Sequence, residues 1–173
     1  METIAVYWEA RVKTYGFQEE RDLALVQVSI EQSLLDEWGL VLDGLGDRDI
    51  PFVLVLMQPS QDGRLDFRFL LKREWEGPFL DHLAGFLRGR GKECVRVAAP
   101  VEMIHFQGPH FGDRYGIVDA AFRALIRGNV PVLAVSCSGA SVYLILPEKE
   151  ARTALPLLEE AFEVPRRRPR FQT

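Results

Sequence analysis

Apolar residues recur along this chain with two different periods. Ile4, Val6, Trp8, Ala10 and Val12 alternate with polar neighbours, which predicts a strand with one buried face over residues 4–17. The polar run 18–22 predicts a turn. Residues 23–30, with β-branched side chains at their centre, then read as a second strand. Ser33 stands where a helix N-cap is expected, with Glu37 in the first turn. Leu34, Leu35, Trp38, Val41, Leu42 and Leu45 follow at spacings of three and four, the apolar stripe of an amphipathic helix. The run 50–57 is apolar and of strand length. Pro59, Asp62 and Gly63 predict a hairpin turn, after which Leu65, Phe67 and Phe69 alternate with Asp66 and Arg68. Pro78 suits the first turn of a second helix that carries Phe79, Leu80, Leu83, Phe86 and Leu87 and closes at Gly89-Arg90-Gly91; residues 94–98 read as a strand.

The same order then begins again. A strand is expected at 103–106, then a glycine-bearing loop and a helix with Ile117, Ala121, Phe122, Leu125 and Ile126 on one side. Strands at 130–136 and 141–146 follow, joined at Ser138-Gly139, and then a helix over 148–162 that Pro156 should kink or divide. Ile50-Pro51-Phe52 lies over Val130-Pro131-Val132 at an offset of 80, and the helices that precede them keep nearly the same offset. The pattern implies an internal duplication. The fold class expected is α+β: two ferredoxin-like βαββαβ units, antiparallel sheets with helices on one face. The second unit lacks one strand and an orphan strand precedes the first, so one unit is expected to be inserted in the other. Residues 23–99 then form unit 1, residues 1–22 plus 100–164 form unit 2, and 165–173 form a basic flexible tail.

Composition narrows the function classes. With 47% hydrophobic and 27% charged residues, the chain is that of a folded protein. Four arginines sit in the last eight residues, so the rest carries −8 against an overall −4, and nucleic-acid binding is not expected. Cys94 and Cys137 show no CxxC spacing, and no stretch reads as a signal peptide or reaches the ~20 apolar residues of a membrane span, so a cytoplasmic protein without membrane insertion is expected. His105 and His110 flank the glycine-bearing loop without a further ligand at metal spacing, and read as structural. Cys137 reads as packed rather than nucleophilic, and Gly89-Arg90-Gly91-Lys92 as a helix cap rather than a phosphate loop. Phe67 and Phe69 share one face, as in RNA-binding relatives of this superfold, but the surrounding residues lack that signature, and the two rings are expected under the helices.

Over nearly its whole length, and most specifically from Gly108 to Phe162, the chain resembles the tandem ACT regulatory region of aspartokinases. The glycine after the strand, Tyr115-Gly116-Ile117 where the family usually has Pro-Gly-Val, Ala124-Leu125, Asn129-Val130, Val135-Ser136 and the closing helix with Ala154, Leu155, Leu158 and Phe162 carry the likeness. The resemblance implies a non-catalytic, amino-acid-sensing allosteric module without a cofactor, similar to the regulatory part or subunit of aspartokinase, since no kinase domain is visible. It implies a small amino acid as effector, a homodimer, and an aspartokinase or other amino-acid-biosynthesis enzyme as partner. It implies one ligand site between Ser33, Leu34, Leu35 and Asp36 and the pair Pro131 and Val132, and a second between Gly112, Asp113, Arg114, Tyr115, Gly116 and Ile117 and the pair Pro51 and Phe52. Its chemistry would be a helix N-terminus receiving a carboxylate. Prolines 51 and 131 stand where the family commonly has Asn, which removes donors. The alternative is therefore a scaffold acting only in oligomerisation or protein interaction, without ligand.

Overall fold

The computed structural model describes residues 11–60, 62–88, 94–109, 111–112 and 114–164. In chain order the elements are β1 (Val12–Lys13), β2 (Phe17–Glu31), α1 (Leu35–Gly46), β3 (Leu54–Pro59), β4 (Arg64–Lys72), α2 (Glu76–Leu87), β5 (Val95–Gln107), α3 (Ile117–Arg127), β6 (Ala134–Ser138), β7 (Ser141–Pro147), α4 (Ala151–Ala161) and β8 (Phe162–Glu163). The chain divides into two compact units, a central one over Glu20–Glu102 and a terminal one made of Met1–Glu19 with Met103–Thr173. Among the described residues no helix is long and apolar enough to cross a membrane.

The central unit follows from side-chain alternation. In β2, Ala24, Val26, Val28 and Ile30 point to one face, and their partners across the antiparallel ladder are Leu71, Phe69, Phe67 and Leu65 of β4. Every one of these eight is buried, and α1 and α2 cover the same face with Trp38, Leu45, Phe79 and Leu83. Burying each large apolar side chain contributes roughly 1.5–3 kcal/mol. The aromatic rings also meet at a tilt: Trp38 lies 5.3 Å from Phe67 and Phe52 lies 5.2 Å from Phe69, ring centre to ring centre. Phe67 and Phe69 are therefore core residues. Strand order β3-β4-β2-β5 with α1 and α2 between strands is the βαββαβ ferredoxin-like arrangement.

The terminal unit repeats it. Its order is β6-β7-β5-β2, with Ile104 and Phe106 of β5 and Val142, Leu144 and Leu146 of β7 facing Ile117, Ala121, Ala124 and Leu125 of α3 and Ala151, Ala154 and Leu158 of α4. Both long strands thus serve twice. β2 is the first strand of the central unit and fills the fourth place of the terminal one, while β5 does the reverse. The backbone keeps the offset of 80 seen in the sequence. Asp49 (φ 52°) and Asn129 (φ 53°) both turn left-handed after their helices. Ile50 N–H donates to the Leu45 carbonyl at 3.3 Å as Val130 N–H donates to Leu125 at 3.0 Å, and the amides of Val53 and Leu133 donate to Leu70 and Ile145, both at 2.8 Å.

Several expectations change. The polar run 18–22 continues β2 instead of turning. Lys72 reaches Glu20 at 3.0 Å, and Arg21 approaches Glu102 at 3.9 Å, so this polar stretch carries cross-strand ion pairs, and only Asp22 (φ 56°) departs from extended backbone. Ser33 does not cap α1. It lies in a 3-10 turn, Gln32–Leu34, whose Gln32 carbonyl takes the Leu35 N–H, so the backbone does what the hydroxyl was expected to do. β3 and β6 begin at Leu54 and Ala134, later than expected; Pro51 and Pro131, which have no N–H to donate to a ladder, precede them. Pro156 neither divides α4 nor ends it. Phe162 leaves that helix and packs its ring 5.1 Å from Phe106 and 6.0 Å from Phe17, and β8, which it opens, pairs in parallel with β1 as a separate two-stranded ladder. The expected strand over 4–17 is thus two elements, β1 and the start of β2, with residues 1–10 outside the described part. The glycine cap at 89–91 and the tail at 165–173 also lie outside it.

Candidate functional site

The loop between β5 and α3 is held from below. Gly108 sits so close to the chain that an added Cβ would lie 2.3 Å from the Lys13 carbonyl oxygen and 2.4 Å from the Phe111 ring, so only glycine fits there. Phe111 is buried, its ring 5.9 Å from that of Phe106, and anchors the loop to the core. Gly116 then adopts φ 82°, ψ 7°, a left-handed conformation that glycine takes without steric cost, and becomes the N-cap of α3.

That cap carries no side-chain hydrogen bond. The first intrahelical bond is from Ala120 N–H to the Gly116 carbonyl at 2.9 Å, so the amides of Ile117, Val118 and Asp119 have no acceptor within the helix. They and the positive end of the helix dipole give this spot an affinity for negative charge. The Asp119 carboxylate in the first turn is engaged by Arg123 Nε at 2.8 Å, one turn on.

A pocket of 320 Å³ opens here. Arg114, Tyr115, Gly116 and Ile117 line it on the loop side, with Phe111, Val118 and Asp119, while Cys137, Gly139, Ser141 and Val142 of the β6–β7 hairpin form the opposite wall. Tyr115 is 98% exposed and stands at the rim. Cys137 belongs to an exposed residue position, yet loss of water around its sulfur pushes the thiol's pKa up, so it faces the pocket as a neutral group. The chemistry on offer is binding: backbone donors and a guanidinium for an anion, a hydroxyl, and apolar surface from Val118 and Val142.

Four of the expected residues, Arg114, Tyr115, Gly116 and Ile117, come together in this pocket. Gly112 is exposed and outside its wall. Asp113 and His110 lie outside the described residues. His105 is half-buried and stacks on Tyr143 of the neighbouring strand, ring centres 4.8 Å apart. Val132 packs against the terminal core and Pro131 is exposed; Phe52 packs within the central core and Pro51 is exposed; none of the four lines the pocket of its own unit. Ser33, Leu35 and Asp36 are exposed at the head of α1, and Leu34 alone reaches a pocket, in the central unit. The hairpin wall was missed. Its signal was the βαββ order itself, which puts the second strand's end beside the loop that follows the first.

No family model and no curated protein matches the chain in sequence. In fold it matches the regulatory region of aspartate kinase, not a catalytic domain. The regulatory subunit of aspartate kinase from Thermus flavus superposes with a TM-score of 0.77 at 20% identity, over 87% of this chain and 99% of that one. The ligand-free subunit from Thermus thermophilus gives 0.75 at 18% identity, with 87% and 99% covered. The aspartate kinase of Synechocystis gives 0.75 at 18%, over 91% of this chain and 28% of that one.

Proposed function

We propose that this chain is a non-catalytic regulatory protein of the ACT type, which senses a small amino acid in the terminal-unit pocket and acts on an aspartokinase or a related biosynthetic enzyme. The observation that carries this reading is the uncapped head of α3 opening into a pocket beside Arg114. An amino acid's carboxylate there meets the amides of Ile117, Val118 and Asp119 and the guanidinium, and its side chain meets Val118 and Val142. The fold likeness supports the class of protein, and the absence of a disulfide at Cys94 or Cys137 suits a reducing compartment such as the cytoplasm.

The test is a thermal-shift screen of the twenty amino acids on the whole chain. A ligand that binds only the native state at about a hundred times its Kd adds roughly 2.7 kcal/mol of apparent stability. We expect a shift with one or a few amino acids and its loss in Arg114→Gln. No shift with any amino acid at millimolar concentration sinks the reading and leaves the scaffold without a ligand.

We further propose that the chain forms a homodimer through β3. Among the described residues this strand is the outer edge of the central unit's sheet, with Val55 and Met57 exposed, and no charged residue occurs from Ile50 to Pro59. Sheet edges that stay solvated are usually guarded by charge or proline. Only Pro59, at its end, guards this one.

A further inference from the structure

The two units hold equivalent helices that are built unequally. α1 and α3 each follow the first strand of their own unit, and their ends match: Ile50 N–H closes on the Leu45 carbonyl as Val130 N–H closes on that of Leu125. α3 contains no glycine, and Asp119 in its first turn pairs with Arg123 at 2.8 Å. Arg127 stands in its last turn, where positive charge meets the negative end of the helix dipole. α1, of nearly the same length, contains Gly39, Gly44 and Gly46. Asp43 lies in its last turn and Asp47 at its C-cap, with no basic residue in that turn.

Gly44 has a packing reason. A Cβ added there would lie 2.7 Å from Cε1 of His82 on α2, whose Nε2–H donates to the Val41 carbonyl at 2.9 Å. Gly39 has none: it is exposed in mid-helix, with nothing within 4 Å of its would-be Cβ. Each interior glycine disfavours a helix about four- to fivefold relative to alanine, so Gly39 and Gly44 together weaken α1 about twentyfold. The helix is held by its packing instead, and that packing rests on two buried residues, Trp38 and Leu45, whereas α3 buries Ile117, Ala121, Ala124 and Leu125. The Trp38 ring meets Phe67 at 5.3 Å and Phe86 at 5.2 Å, but its indole N–H, buried with it, has no acceptor among the described residues. A buried donor without a partner regains a hydrogen bond when water reaches it, which favours opening.

We propose that α1 is a yielding cover of the central core: it opens as one unit and carries Trp38 into water while the β2–β4 ladder stays closed. α3, in the same place in the terminal unit, stays folded. The central unit thereby has a second conformation of its own. This property needs no ligand and does not depend on the terminal-unit pocket.

The experiment is native-state hydrogen exchange on the whole chain, read by NMR residue by residue as protection factors. Amides of residues 40–45 should be protected about tenfold less, or lower still, than those of residues 121–126 and of residues 25–28 in β2. The Trp38 indole N–H should exchange in step with α1. Gly39→Ala should raise protection across residues 40–45 together by about four- to fivefold and leave residues 121–126 unchanged. Equal protection in α1 and α3 overturns the proposal, as does exchange of α1 in step with β2 or an indole N–H protected as well as β2. A Gly39→Ala variant that leaves residues 40–45 unchanged overturns it too. The exchange pattern is read first on the unaltered chain, so a poorly folded variant does not protect the proposal.

Discussion

At Gly108 a side chain forces its surroundings to shift, because one of the obstacles is backbone. A methyl group there would meet the Lys13 carbonyl at 2.3 Å, and neither partner can rotate away. Gly108→Ala should cost about 1–3 kcal/mol, measured as a lower urea midpoint with unchanged slope. Gly112 has nothing within 4 Å of its would-be Cβ, and its alanine variant should be nearly neutral in the same assay. The sequence marked Gly108 as a glycine ending a strand, but the reason lay with a residue far away in the chain, where no local pattern records it. Ser33 shows the opposite error. Its hydroxyl was read as a cap because residue type and spacing suited one, and the 3-10 turn had already satisfied the amide.

Among the elements, α4 runs unbroken through Pro156, which is exposed and deprives the Arg152 carbonyl of its usual donor. Pro156→Ala restores that bond without opening a cavity. It should therefore stabilise the protein, by up to about 3 kcal/mol, in thermal or urea unfolding. The four helices and the buried halves of β2, β4 and β7 were legible because their faces alternate buried and exposed with the period of the element. The start of β2 was not. Its residues are charged, and ion pairs with Lys72 and Glu102 replace apolar burial there. β1 and β8 have two residues each, too few for any period, and only the aromatic contacts of Phe162 reveal why that residue leaves its helix.

For the molecule as a whole, the edge of β3 carries the prediction. Light scattering should give a dimer, and Met57→Lys should shift it to monomer while leaving the folded spectrum intact, since Met57 is 56% exposed and outside the core. A monomeric native chain would refute the edge assignment. The βαββαβ order and the offset of 80 made the fold class readable, and with it the loop half of the terminal pocket; the wall formed by Cys137, Gly139, Ser141 and Val142 needed three-dimensional placement. The double use of β2 and β5 bears, finally, on how the chain comes into being. A ribosome that has released residue 102 has supplied every strand and helix of the central unit, whereas residues 11–19 must wait through that whole interval for β7, α4 and β8 to emerge. Residues 11–19, made before the central unit, are among the last to find their neighbours, and a nascent chain stalled midway should protect the central unit from protease while residues 11–19 are still cut.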